Sequence, residues 1–187
     1  GLMWQRLTRV SKKFGIRAEV LSFVPVDENI EIMYVTLKNI SDNDIDITPI
    51  AALPIYGRSA DNLRDHRHVT SLLHRIKTSE NGVICKPVLS FDERGHQKNN
   101  MIYYVAGSTE NGENPVSFFP TVASFIGESG TFLAPEALAK NQKGCGAGKE
   151  FAGEEALGAM TFAEIMLAPG QAQEYIVVSG MTESEEE

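Results

Sequence analysis

The sequence is poor in cysteine: Cys85 and Cys145 are its only two, far apart along the chain. They form no C-x-x-C pair and fit no disulfide framework, which favours a reducing, cytoplasmic setting. A basic surplus is also missing. The 17 Lys and Arg against 25 Asp and Glu leave a net charge of −8, which argues against a phosphate-neutralising, nucleic-acid-binding face. No apolar run reaches the roughly 18–20 residues of a membrane-spanning helix. The first residues, Gly1-Leu2-Met3-Trp4, lack the basic-then-apolar layout of a signal peptide. Fixed-period repeats and long 3.6-residue apolar stripes are absent too, which removes solenoids and helical bundles from consideration.

What remains is an ordinary globular composition, with 42% hydrophobic and 22% charged residues over 187 positions. That length suits one domain with a substantial core. The expected division is a β-sandwich over residues 1–181 and a solvated acidic tail over 182–187, Thr182-Glu183-Ser184-Glu185-Glu186-Glu187. An initial Gly followed by Met3, and the acidic run at the other end, read as the edges of a piece cut from a larger enzyme.

Most of the chain reads as strand. Residues 17–26 alternate and end at Pro25 and the turn Asp27-Glu28-Asn29. Residues 30–39 are the clearest strand. Ile30, Ile32, Tyr34, Thr36 and Lys38 point one way and Met33, Val35 and Leu37 the other, so both faces are partly covered. The polar turn Ser41-Asp42-Asn43-Asp44 then predicts a hairpin with residues 45–50. Strands over 82–91 and 100–106, with the turn Asp92-Glu93-Arg94-Gly95 between them, predict a second hairpin. Residues 118–126 are a further apolar stretch, and Pro135 suits the first turn of a short helix over 134–138. Residues 160–167 and 174–179 flank the turn Ala168-Pro169-Gly170-Gln171 as strand–turn–strand. Together these predict an all-β, antiparallel sandwich with one or two short helices. Two segments depart from the meander: 56–77, rich in His and Arg, and 140–158, a Gly-rich stretch expected to be a long loop with some helix.

The densest set of functional groups is Tyr56-Gly57-Arg58-Ser59-Ala60-Asp61-Asn62-Leu63-Arg64-Asp65-His66-Arg67-His68. In an acidic chain, a local cationic cluster stands out. Guanidinium forks suit phosphate or carboxylate, and His and Asp bond hydroxyls, so Arg58, Arg64, Asp65, His66, Arg67 and His68 are candidate substrate-binding residues. A solvent-exposed connection with internal pairs such as Arg64–Asp61 is the competing reading. His66-x-His68, with His74 and Asp65, is a possible metal-ligand set. Its spacing matches no zinc signature, and Arg67 would repel the ion.

Gly144-Cys145-Gly146-Ala147-Gly148-Lys149 fails the phosphate-loop pattern twice, at Lys143 and at Glu150, and reads as a flexible surface loop. Asn39-Ile40-Ser41 is a formal glycosylation sequon, read as a chance match at a turn. No catalytic residue can be named.

Several blocks together resemble the N-terminal β-sandwich domain of glycoside hydrolase family 94, formerly glycosyltransferase family 36. They are Phe23-Val24-Pro25-Val26-Asp27-Glu28-Asn29-Ile30-Glu31-Ile32, Val35-Thr36-Leu37-Lys38-Asn39, Phe125-Ile126-Gly127-Glu128-Ser129-Gly130 with Pro135-Glu136-Ala137-Leu138, and Leu167-Ala168-Pro169-Gly170-Gln171. That family of inverting phosphorylases includes enzymes acting on cellobiose, chitobiose and 1,2-β-oligoglucans, and the phosphorylase part of cyclic β-1,2-glucan synthase. The resemblance implies a super-sandwich of the galactose-mutarotase-like kind. It also implies a separate (α/α)6 barrel carrying the catalytic Asp, inorganic phosphate as the parent's co-substrate, no resident cofactor or metal, and a homodimeric parent. By the same resemblance, a loop reaches toward the active site; here that is the stretch from Tyr56 to His74, with Arg67 the nearest match to a sugar-contacting Arg. The isolated chain is then expected to be inactive. The alternatives are a free-standing carbohydrate-binding module, with Trp4, Tyr56, Tyr103 and Tyr104 as candidate rings, and a purely structural or oligomerising sandwich.

Overall fold

A computed structural model describes residues 3–57, 70–92 and 95–184. In chain order the first strands are β1 (Trp4–Ser11), β2 (Ile16–Phe23), β3 (Ile30–Asn39), β4 (Ile45–Ile47) and β5 (Ile50–Pro54). Next come β6 (His74–Thr78), β7 (Gly82–Pro87), β8 (Leu89–Asp92), β9 (Gly95–Lys98), β10 (Ile102–Thr109) and β11 (Ser117–Thr121). Two short helices follow, α1 (Val122–Ile126) and α2 (Glu136–Ala139). Strands β12 (Glu150–Ala152), β13 (Ala156–Thr161), β14 (Ile165–Leu167) and β15 (Ala172–Thr182) complete the order.

Eight strands form one antiparallel sheet in the order β1-β2-β3-β15-β10-β7-β6-β12, and β11-β13-β5 form a second. The core lies between them. Ile76, Val83, Cys85, Val105 and Val177 of the large sheet meet Phe118, Ala156, Met160 and Phe162 from the side of the small one. Fully burying one such aliphatic side chain contributes roughly 1.5–3 kcal/mol. The expected all-β antiparallel sandwich is therefore the observed architecture. The two faces of β3 divide as the alternation required, with Met33, Val35 and Leu37 packed on the core.

The small sheet is itself covered. All five residues from Ala156 to Met160 in β13 are buried. Leu157 and Ala159 join Phe119, Val122, Phe125 and Ala137 in a second cluster that seats α1 and α2. Residues 118–126 therefore change from strand to helix at Thr121, whose side chain accepts from the Ser124 N–H in a capping box. The short helix near Pro135 forms as expected, with Pro135 at its N-cap.

Three expectations are corrected. The link at 41–44 does not close a hairpin: β3 pairs with β2 and β15, and β4 pairs with β14. The turn at 168–171 joins β14 to β15 as strand–turn–strand, as expected, and these two strands pair with other partners. The two links run side by side, and the chain changes sheet at both. Asn39 holds this corner: its N–H donates to the Gln171 carbonyl at 2.9 Å, and its carbonyl accepts from the Gly170 N–H at 3.1 Å. Second, 140–158 is not simply loop. Its latter part supplies β12 and the start of β13, the central strand of the small sheet. Gly158 explains why that strand is built from small residues. A Cβ there would sit 2.3 Å from the Val105 Cβ of the facing sheet. Third, β7 pairs with β10, but the turn at 92–95 belongs to the inserted ribbon β8–β9. The N-terminal strand β1, not anticipated from the sequence, adds an exposed edge beside β2.

Candidate functional site

The cationic segment lies in the chain between Gly57 and Thr70. Arg58, Arg64, Asp65, His66, Arg67 and His68 all fall within 58–69 and lie outside the described residues. Their two anchors are described. Gly57 is buried where β6 and β7 meet. A Cβ at that position would lie 2.6 Å from Pro87 Cγ, 3.3 Å from His74 Nε2 and 3.4 Å from Cys85 Sγ. Only a residue without a side chain passes so close. At the other end Thr70 and Ser71 are buried, and Leu73 N–H donates to the Thr70 carbonyl at 3.1 Å.

His74 sits between these anchors. It begins β6 on the strand's buried face, opposite Pro87. Its Nδ1 lies 3.1 Å from the Glu154 carbonyl. A carbonyl only accepts, so the proton of the neutral ring resides on Nδ1. Nε2 is buried and makes no hydrogen bond of good geometry, although the Gly57 backbone lies beside it. Burial holds the imidazole below its ordinary value, and the Glu154 carbonyl, the Gly57 backbone and the Glu155 charge offset only part of that. A cavity of about 20 Å3 bordered by Tyr56, Ser71, His74 and Glu155 has room for about one water.

Beside this anchor lies a wider groove of about 470 Å3, bordered by Glu28, Asn29, Tyr56, Tyr103, Tyr104 and Met181. Strand alternation sends Tyr103 toward the core side of the sheet and Tyr104 to its outer side, yet at the sheet's end both reach the groove. Tyr56, the last residue but one before the cationic segment, is 58% exposed. Burial first, and the Glu28 carboxylate second, push the Tyr104 phenol up. Phenols, an amide and a carboxylate around an open concavity can stack on and hydrogen-bond a hydroxyl-rich ligand. The three tyrosines were legible as candidates. Glu28 and Asn29 read only as turn residues, and nothing local marks them as facing Tyr104.

The remaining motifs resolve structurally. Among the described residues, no group of three or more His, Cys, Asp or Glu side chains is placed to hold a metal ion. The His66–His68 pair lies outside them. The Gly-rich 144–149 stretch is stitched to the sandwich: Lys149 N–H donates to the Thr78 hydroxyl at 2.9 Å, and that hydroxyl donates to the Gly146 carbonyl at 2.9 Å. Cys145 and Phe118 exchange backbone hydrogen bonds of 2.8 Å in both directions. Both thiols are free. Asn39 of the sequon is fully buried and its amide is engaged, so the folded chain presents no acceptor nitrogen there.

An eight-stranded antiparallel sheet closed by a smaller one, with two short helices behind, defines a super-sandwich scaffold. The sequence pattern of the glycosyl hydrolase 94 supersandwich domain matches residues 7–187, and the chain belongs to that family. None of the curated proteins compared with the chain matches it. No described helix is long and apolar enough to cross a membrane.

Proposed function

We propose that this chain is the N-terminal accessory domain of an inverting carbohydrate phosphorylase acting on β-glucan oligosaccharides. The catalytic Asp and the chemistry reside in an (α/α)6 barrel. There, inorganic phosphate attacks the anomeric carbon. The sandwich supports that barrel, contributes to a homodimer interface, and lends the 58–69 segment to sugar or phosphate. The family match over 7–187 is the observation that carries this reading. The anchoring of 58–69 supports the segment's role. Gly57, which precedes that segment, lies against His74 beside a tyrosine-bordered groove, and Thr70, which follows it, is buried as well. The free thiols fit a cytoplasmic enzyme.

Two measurements test it. The 187-residue chain, given phosphate and β-glucan oligosaccharides, should release no sugar 1-phosphate; steady release overturns the accessory role. In the enzyme containing this domain, Arg67→Ala and His66→Ala should raise KM or lower kcat, and unchanged kinetics remove the segment from the site.

A further inference from the structure

The outer face of the large sheet, turned away from the core, carries an aromatic cluster that the tyrosine-bordered groove does not include. Cross-strand register builds it. Trp4 of β1 stands opposite Phe23 of β2, and Leu21 of β2 stands opposite Tyr34 of β3, so the three rings occupy successive strands on one face. Phe23 and Tyr34 lie with centroids 6.1 Å apart and planes 12° from parallel. Trp4 is 52% exposed and Tyr34 43%. The rows alongside are polar. Arg6 Nε lies 3.5 Å from a Glu19 carboxylate oxygen, the Thr8 hydroxyl reaches the other Glu19 oxygen at 3.5 Å, and Thr36 donates to Glu174 at 3.3 Å.

We infer that this face binds a neutral pyranose oligosaccharide laid across β1, β2 and β3. A sugar ring presents C–H groups on its faces and hydroxyls around its edge. Exposed aromatic faces take the first, and charged or hydroxyl side chains take the second. The juxtaposition of Trp4, Phe23 and Tyr34 with Arg6, Glu19 and Thr36 supplies both. A dry protein partner fits poorly, because covering the rings would also desolvate the Arg6–Glu19 and Thr36–Glu174 pairs. Arg17 of β2 and Lys38 of β3 stand opposite each other farther along this face, so a polyanion such as heparin is the control, and saturable binding of heparin in place of the trisaccharides overturns the inference. Strands are spaced about 4.8 Å apart, so successive rings step by about one sugar unit. The inference deepens the carbohydrate reading above but uses neither the barrel nor the 58–69 segment, so a failed phosphorolysis assay leaves it standing.

Trp4 is the chain's only tryptophan, so its fluorescence reports from the platform itself. Titration of the 187-residue chain with cellotriose and, separately, with β-1,2-glucotriose should give a saturable change with a dissociation constant on the order of 1 mM. Mannitol, which has no ring, should give none. Affinity should rise from disaccharide to trisaccharide and then level off. Tyr34→Ala should weaken binding roughly five- to tenfold without moving the melting temperature, and Tyr34→Phe should keep most of it. If Tyr34→Ala does lower the melting temperature, Trp4→Ala with calorimetry replaces it and should weaken binding by a similar factor; unchanged affinity overturns the inference. No saturable response to either trisaccharide, or an equal response with mannitol, overturns the inference. So does concentration-dependent dimerisation abolished by Trp4→Ala, which would make a second copy the occupant of this face.

Discussion

The side-chain amide of Asn39 donates to the Leu167 carbonyl at 2.8 Å, across 128 positions of sequence. It also donates to the Asn43 carbonyl at 2.7 Å, and its oxygen accepts from the Ser41 N–H and hydroxyl, both at 2.8 Å. One fully buried side chain thus fixes the turn after β3 and locks it to the end of β14. Asn39→Ala leaves several of these groups unpaired and should cost about 2–3 kcal/mol of unfolding free energy. Asn39→Asp should cost at least as much, because a carboxylate would face two carbonyls with no donor. Urea unfolding midpoints of the two variants measure this.

The contact of Gly158 with Val105 makes β13 intolerant of any side chain there. Its added Cβ would lie within 2.5 Å of Val105 Cγ2. Gly158→Ala should destabilise the fold by about 1–3 kcal/mol through overpacking. The double variant Gly158→Ala with Val105→Gly, which removes the clashing Val105 Cβ, should recover part of that loss. A strictly additive double variant would show that the two sheets do not press on each other at this point.

His74 predicts a pH dependence of stability. Its folded value lies below the ordinary 6.5 because burial disfavours the cation. Between the two values the unfolded chain binds more protons than the folded one, so stability from this group is complete above about pH 6.5 and falls as pH drops below it. His74→Gln should flatten that decline relative to the parent in chemical denaturation from about pH 7.5 to about pH 5. Parallel curves for the two proteins would mean that His74 is not held neutral.

The two thiols should react unequally. Cys85 is fully buried, and burial pushes its thiol up to about 12. Cys145 is half-buried and shifted upward as well, with the charge of Lys149 opposing. A chromogenic disulfide reagent should modify Cys145 slowly in the native chain and reach Cys85 only on unfolding. Equal native rates would contradict the packing of β7 against the small sheet.

Much of the architecture was legible because it is local. The alternation in β3 assigned Met33, Val35 and Leu37 to the core, and Pro135 marked the start of α2. The same locality makes β3 and β4 look like a hairpin, which they are not. A polar turn between two alternating runs is the local signature of a hairpin, but the competing bond from Asn39 to Leu167 comes from the far end of the chain. Strand β13 was hidden because Ala156, Gly158 and Ala159 carry little strand preference. Space between two layers chose them.

Of the candidate site, the cationic residues and the three tyrosines could be picked out by residue chemistry alone. The groove around the tyrosines could not. Glu28 meets Tyr104, and Gly57 passes His74, because separate segments end at one corner. The sequence by itself determined which side chains face inward along each strand, where turns interrupt them and where a short helix begins, since side-chain period and turn chemistry act over a few residues. Only the tertiary structure decided which strands became neighbours, and so placed Trp4, Phe23 and Tyr34 on one face. The backbone hydrogen bonds that join strands are the same for every sequence, and the packing that selects among pairings acts between distant residues.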